Sequence, residues 1–263
     1  MDVTTRKSTN PDDYQDIPHP VAVLAKENPD AFTTTWHRHK RGQLIYASSG
    51  VVVVTTQQGS WVIPPQRAVW VPSGVEHKTH TVGRVAMRTA FIAAEAARHL
   101  PRNCCVINVS PLLRELILRA ASLPLSYDEK GPEGRIMQLI TDEIRVFREL
   151  PLHLPMPSDA RLTTICSGIS RNPQRNESLG AWARKVGTSR RTVARLFIQE
   201  TGMTFSEWRQ QARLHAALTR LAAGQSIKRV AYASGYSSHS AFTHMFKRTF
   251  GTTPSRYFYM SDC

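Results

Sequence analysis

Two groups of residues in this chain have the types and spacing to do chemistry. The first is Trp36-His37-Arg38-His39, followed by Gln43 and, further along, by Pro72-Ser73-Gly74-Val75-Glu76-His77. In a strand, residues i and i+2 share a face, so His37 and His39 point the same way. Joined by His77 from a neighbouring strand, they make a three-nitrogen site for a divalent metal, with a further position for Gln43, a carboxylate or water. The plainer use of the same side chains is to line a polar interior, and the residues alone leave both uses open. The second group is cationic and polar: Arg190, Arg191 and Arg195 in one stretch, and His239, Ser240, Thr243, His244 and Lys247 in another. Arg191 and Arg195 are an i, i+4 pair, which places them on one stripe of a helix. Such a helix fits the major groove of DNA, where Arg bonds guanine bidentately and Ser or Thr reads more loosely.

The elements that must hold the second group repeat along the chain. Ser178-Leu179 and Ser226-Ile227 each open a short helix containing Ala183 or Ala231 and ending near Gly187 or Gly235. A turn follows, where glycine supplies the positive φ, and Ser189 or Ser238 is placed to cap a second helix. That second helix buries Val193, Leu196 and Phe197 in one copy and Phe242, Met245 and Phe246 in the other, leaving the polar stripe outside. The spacing predicts two helix-turn-helix units, at 178–200 and 226–249. Between them Phe205 to Ala223 is amphipathic with no breaker, a helix of roughly 28 Å at about 1.5 Å per residue. That is close to the ~34 Å between major-groove faces one helical turn apart.

Charge follows the same division. The 263 residues carry 34 Lys and Arg against 20 Asp and Glu, a net +14. Residues 1–157 hold 18 of these bases and 15 acids, whereas residues 158–263 hold 16 and 5, an excess of +11. The change falls at Leu150-Pro151-Leu152-His153-Leu154-Pro155-Met156-Pro157, whose prolines predict a linker over 151–160. A local excess of this size points to a polyanion. No window is apolar enough to span a membrane, and 1–18 lacks an apolar signal core, so the expected location is cytoplasmic with no membrane contact. Cys104, Cys105, Cys166 and Cys263 show neither zinc-finger spacing nor a disulfide framework.

The elements that must hold the histidines read as short strands. Val51–Thr56 is β-branched throughout, and similar runs lie at Gln43–Ser48, Trp61–Ile63, Ala68–Val71, His77–Val82 and Val85–Ile92, punctuated by turns that include Ser73-Gly74 and Val82-Gly83. Evenly spaced strands predict an antiparallel barrel or sandwich over 20–109, after a disordered 1–19. Trp36, Tyr46, Trp61 and Trp70 read as core, and Arg38, Lys40 and Arg41 as a solvated strand face. From Ser110 the period becomes helical, with Leu112, Leu113, Leu116, Ile117 and Ala120, then Ile136, Leu139, Ile140, Ile144 and Phe147. This helical pair, 110–150, has two uses open to it: coupling or dimerisation, or covering the barrel.

Residues 161–260 closely resemble the paired helix-turn-helix domain of the AraC/XylS transcription regulators. The stretch from Val230-Ala231-Tyr232-Ala233-Ser234-Gly235 through Phe250-Gly251-Thr252-Thr253-Pro254-Ser255-Arg256-Tyr257 carries that signature. The resemblance implies that Arg191, Ala194 and Arg195, and in the second unit His239, Ser240 and His244, face the bases. His-x-His with Gln43, and Pro-x-Gly-x2-His at His77, resemble the cupin pattern, with Gln43 standing where cupins carry a glutamate. The residues from Trp36 to Ala47 also resemble a cupin-bearing subgroup of these regulators linked to repression of drug-efflux or metal-related genes.

The expectation is therefore an α+β two-domain chain: a cupin-like antiparallel β-barrel with a helical pair, then an all-α double helix-turn-helix domain at 161–260. Its expected role is sequence-specific transcription regulation, by repression or activation, in a bacterial cytoplasm, with no enzyme activity. The expected partners are double-stranded DNA, RNA polymerase, a small-molecule or metal effector and a second copy of the chain. The one cofactor to consider is a divalent metal at His37, His39, Gln43 and His77. A cupin metalloenzyme is the competing class, disfavoured because Gln43 replaces the usual acid. A nonspecific packaging protein is a third, disfavoured because nonspecific binding needs charge but no duplicated turn.

Overall fold

Period-two alternation builds the first unit, and capped short helices build the second. The computed structural model describes residues 7–145 and 152–259. It divides into Met1–Val54 with Ile63–Glu149, and Thr55–Val62 with Leu150–Cys263.

The first unit contains β1 (Val21–Asn28), β2 (Gly42–Thr56, as far as Val54), β4 (Arg67–Val71), β5 (His77–Ile92) and β6 (Cys105–Asn108), while β3 (Gly59–Ile63) belongs mainly to the second. The order is β1-β5-β2-β4-β6, with β1 antiparallel to β5, and β4 antiparallel to both β2 and β6. No pairing joins β1 to β6 among the described residues, so the expected barrel is instead a sheet that is not closed. Two pairs of expected strands also merge. β2 runs through Gly50 and β5 through Gly83, both at positive φ. A Cβ on Gly50 would collide with the Arg84 carbonyl, so the two ladders bend together where the sequence suggested a turn.

Alternation gives the sheet two different faces. Val21, Val23, Leu44, Tyr46, Trp70, Ala90 and Ile92 form one, packed on Leu113, Ile117 and Ala120 of α1 (Pro111–Ser122) and on Met137 and Ile140 of α2 (Pro132–Glu143). Each such buried Leu, Ile or Phe contributes about 2 kcal/mol. The inner sides of the helical pair thus cover the sheet, while Leu112 and Leu139 stay exposed. Phe147 lies outside the described residues. Leu24, Gln43, Ile45, Thr89 and Phe91 point to the opposite face, where the histidines gather.

The N-terminal segment departs from the expectation of disorder from residue 7 onward. Tyr14 is fully buried against Phe91, ring to ring at 5.5 Å. Arg41, expected on a solvated face, is buried because its guanidinium donates to the carbonyls of Gln15, Ile17 and His19. An arginine can be buried when backbone acceptors satisfy its fork of donors.

In the second unit the proline-rich stretch is more than a spacer. Its His153–Pro155 forms β7, antiparallel to β3 with Ser60 opposite Leu154. Proline has no N–H to donate, and Pro155 sits in an edge strand where none is required. The Trp208 indole donates to the Pro155 carbonyl at 2.7 Å, and His153 stacks on Trp61 at 4.3 Å. Asp159, expected within the linker, caps α3 (Ala160–Arg171). Then come α4 (Leu179–Lys185), α5 (Arg190–Thr201), α6 (Phe205–Ala222), α7 (Ile227–Ala233), α8 (His239–Phe250) and α9 (Pro254–Tyr259).

Candidate histidine pocket and nucleic-acid interface

His37 and His39 lie on the chain just before β2 rather than in a regular strand. Two isolated antiparallel bridges, Thr33 with His80 and His37 with His77, tie that segment to β5; at the second, the His37 N–H donates to the His77 carbonyl at 3.0 Å, and the His77 N–H returns the bond at 2.8 Å. Gly74 N–H holds the His39 carbonyl at 2.9 Å, so the Pro-Ser-Gly turn fixes the other end. The second bridge preserves the i, i+2 relation that the sequence implied. The three imidazoles come together, with centroids 4.9 Å apart for His37 and His39, 4.5 Å for His37 and His77, and 5.7 Å for His39 and His77.

Each ring has a defined role to offer. His37 Nδ1 lies 2.8 Å from the Thr35 carbonyl and His77 Nδ1 lies 2.9 Å from the Val75 carbonyl. A carbonyl can only accept, so both Nδ1 atoms carry a proton, and in the neutral imidazole of this tautomer the lone pair lies on Nε2. His77 Nε2, both ring nitrogens of His39 and Gln43 Oε1 are buried without a hydrogen-bond partner. Burial, reinforced by the neighbouring imidazoles, holds His39 well below the usual histidine range, at about 4. Burial holds His77 at about 4 as well, against the opposing pull of the Val75 carbonyl. Both rings are therefore neutral near pH 7.

Gln43 joins the histidines around a cavity of about 60 Å³, also lined by Lys26, Asn28, Thr34, Thr79 and Phe91. Asn28, whose buried amide nitrogen has no partner, and Lys26 were not legible as site residues. They lie on β1, remote in sequence, and only the β1–β5 pairing brings them in. A second cavity of about 340 Å³ on the helical side is lined by His99, Tyr127, Glu129, Gln138 and Asp142. Three of its polar groups are already engaged: Tyr127 donates to the Val21 carbonyl, His99 meets the Thr141 carbonyl, and Glu129 pairs with His19. Of the aromatics read as core, Tyr46, Trp61 and Trp70 are buried, whereas Trp36 is exposed with the Lys78 ammonium 5.2 Å over its ring.

The helical repeat forms as the caps dictate. Ser178, Ser189, Ser226 and Ser238 each accept an N–H from the first turn of α4, α5, α7 and α8. Gly187 and Gly235 take positive φ at the two turns. Val193 and Phe197 are buried in the first unit, and Phe242, Met245 and Phe246 in the second. This leaves Arg190, Arg191 and Arg195 exposed on α5, with Ala194 half-buried, and His239, Ser240, His244 and Lys247 exposed on α8. Thr243 is half-buried, its hydroxyl shielded from solvent and without a partner. Arg195 donates to Gln199 one turn on at 2.8 Å, which holds its guanidinium along the exposed stripe. The joining helix α6 has 18 residues, about 27 Å of rise. Its N-terminus carries a capping box, Thr204 with Glu207.

Comparison with known proteins finds two family matches along the chain. Residues 182–259 match a helix-turn-helix domain family, and residues 19–177 match an AraC-like ligand binding domain, which runs on through β7 and α3. The chain is 37% identical over 237 residues to the transcriptional regulator NimR of Escherichia coli K12, covering 90% of this chain and 86% of NimR. It is 30% identical over 216 residues to the regulator RipA of Corynebacterium diphtheriae, covering 80% of this chain and 61% of RipA. ToxT from Vibrio cholerae O395 aligns with 92% of this chain and 98% of its own, at 15% identity and a TM-score of 0.40.

Proposed function

We propose, from the premise that the chain belongs to the AraC family of DNA-binding transcription regulators, that its histidine pocket senses a small effector and thereby adjusts how its two helix-turn-helix units engage DNA. The family is one of regulators and not of enzymes, so the metalloenzyme reading falls away. No helix among the described residues is long and apolar enough to cross a membrane.

The observation that carries the proposal is the pairing of two exposed polar helices, α5 and α8, with a buried pocket whose polar atoms lack partners. In this reading α5 and α8 enter successive major-groove segments on one face of the duplex, held by α6. Arg191, Ala194 and Arg195 meet bases from the first unit, and His239, Ser240 and His244 from the second. Arg190, Thr243 and Lys247 complete the interface, mainly toward phosphate. The half-buried Thr243 is the weakest member of this set. A buried donor or acceptor left unmade costs about 1–3 kcal/mol, so an effector that satisfies Gln43, His39 and His77 favours whichever arrangement holds it best. The exposed Leu112 and Leu139 support a second copy of the chain as a further partner, and RNA polymerase is the machinery whose access such a complex would alter.

Footprinting of the full chain on the DNA flanking its own gene tests the reading. A protected site containing two groove-sized contacts one helical turn apart is expected. Uniform, salt-labile coating without a discrete footprint would sink it.

A further inference from the structure

We infer that the histidine pocket is a binding site for one divalent transition cation of the Zn²⁺, Co²⁺ or Ni²⁺ kind, held by the Nε2 atoms of His37 and His77 and a ring nitrogen of His39, with Gln43 Oε1 as a neutral oxygen donor. This deepens the proposed function by naming the chemical class of effector. Three observations carry it, none depending on the DNA-binding half.

The ligand atoms of the three histidines all lie within 4.8 Å of one another. Three nitrogens at metal–nitrogen bonds of about 2.1 Å need a separation of roughly 3.4 Å, which small side-chain rotations supply. Second, the surroundings prepare the ligands. Thr35 and Val75 carbonyls take the Nδ1 protons of His37 and His77, fixing ring orientation and tautomer and leaving Nε2 to bind. This outer support is what metal-binding imidazoles require. His39, Gln43 and His77 are then left with buried polar atoms that nothing in the protein satisfies.

Third, the size of the space selects the ligand. The cavity is about 60 Å³. That admits an ion with a few waters, at roughly 30 Å³ per water, and falls well short of the ~300 Å³ of organic-ligand pockets. The larger cavity has the volume for an organic molecule, but His99, Tyr127 and Glu129 on its wall are already paired, which leaves Gln138 and Asp142 to bind one.

The ligand set also fixes the selectivity. Three imidazoles and an amide carry no negative charge, so a hard cation such as Mg²⁺ or Mn²⁺ finds no carboxylate, while nitrogen-preferring cations are favoured. A bound cation keeps its full charge in this setting and leaves at least one position for water or a small anion, which Lys26 on the pocket wall would favour. The affinity is expected to be moderate, as suits reversible occupation.

The test is titration of the metal-stripped full-length protein with Co²⁺, read by visible absorption and by stoichiometry. One equivalent should bind, displaceable by Zn²⁺ and not by Mg²⁺. His39→Ala and His77→Ala should each weaken binding on the order of 100-fold, while His99→Ala, in the other cavity, should leave it unchanged. Gln43→Glu should tighten binding roughly tenfold by restoring a charged donor, and this gain cannot arise from misfolding. Absence of stoichiometric binding, binding that survives both histidine changes, or no gain in Gln43→Glu overturns the assignment. Because the readout uses no DNA, a missing footprint would sink the regulator reading and leave this one standing, and the reverse also holds.

Discussion

Gly187 and Gly235 occupy the same place in the two helix-turn-helix units, yet they meet different surroundings. Both adopt positive φ, +67° and +83°. A Cβ built on Gly187 finds nothing within 4 Å, whereas one on Gly235 comes within 2.8 Å of both the Pro173 carbonyl and Arg213 Nε. Arg213 on α6 in turn donates to the Pro173 carbonyl at 3.1 Å. The second turn is thus wedged against a bridge from α6 to the loop after α3, while the first turn is open. The polar faces differ too: three arginines on α5, against two histidines, a serine and a lysine on α8. A duplicated plan has been kept where the backbone needs it. It has diverged where packing and recognition do their separate work.

The glycines give the largest test of this contrast. Gly235→Ala should lower stability by about 3 kcal/mol, since the αL cost adds to a clash with a backbone oxygen that cannot swing away. Gly187→Ala should cost about 1 kcal/mol from αL alone. Denaturant midpoints of the two variants check this, and equal losses would erase the difference drawn here.

The next largest effect lies in α6, the helix both units share. His215 is fully buried there, and burial together with nearby His153 pushes it from the usual 6.5 down to about 3. The folded state therefore holds it neutral while the unfolded chain takes up a proton. Stability from this group is complete above pH 6.5 and is lost as pH falls from there toward 3. Between pH 7 and pH 5 the loss should be about 2 kcal/mol. His215→Leu should reduce the slope of that part of the pH–stability curve, leaving the share that His39 and His77 contribute, and an unchanged slope would remove His215 as a source.

Recognition follows. Arg195→Ala should weaken binding at one base position by about 1–3 kcal/mol, and His244→Ala by about 1 kcal/mol at a position one helical turn away. Binding measured against operator variants separates the two; identical losses on every sequence would turn either residue into a phosphate contact. The smallest effects are expected at the caps. Ser189→Ala and Ser238→Ala should each cost about 1 kcal/mol, because both serines accept the same first-turn N–H. Unequal thermal shifts would show that the wedged turn also changes how α8 begins.

How much of this was legible depends on the range of the interactions involved. Serine caps, turn glycines and the apolar spacing of Val193 and Phe197 act within one or two helical turns, so the helix-turn-helix units could be read from neighbouring residues. Gly83 misled because a glycine marks a turn in isolation and a bend when two strands are paired through it. Arg41 misled because its partners, the carbonyls of Gln15, Ile17 and His19, are recruited by folding. The His-x-His pattern and His77 do gather at one cavity, although His37 and His39 sit on a bridged loop.

The sequence by itself determined the two helical units, their exposed basic and polar faces and the concentration of charge after residue 157. These depend on local propensity and on which residues share a helix face. Only the tertiary structure decided that the sheet stays open, that Asn28 and Lys26 join three histidines around one cavity, and that one glycine turn is wedged while its counterpart is free. Those outcomes depend on strand register and on contacts between residues far apart in the chain. No short-range pattern encodes them, because the partner surface exists only once the rest has folded.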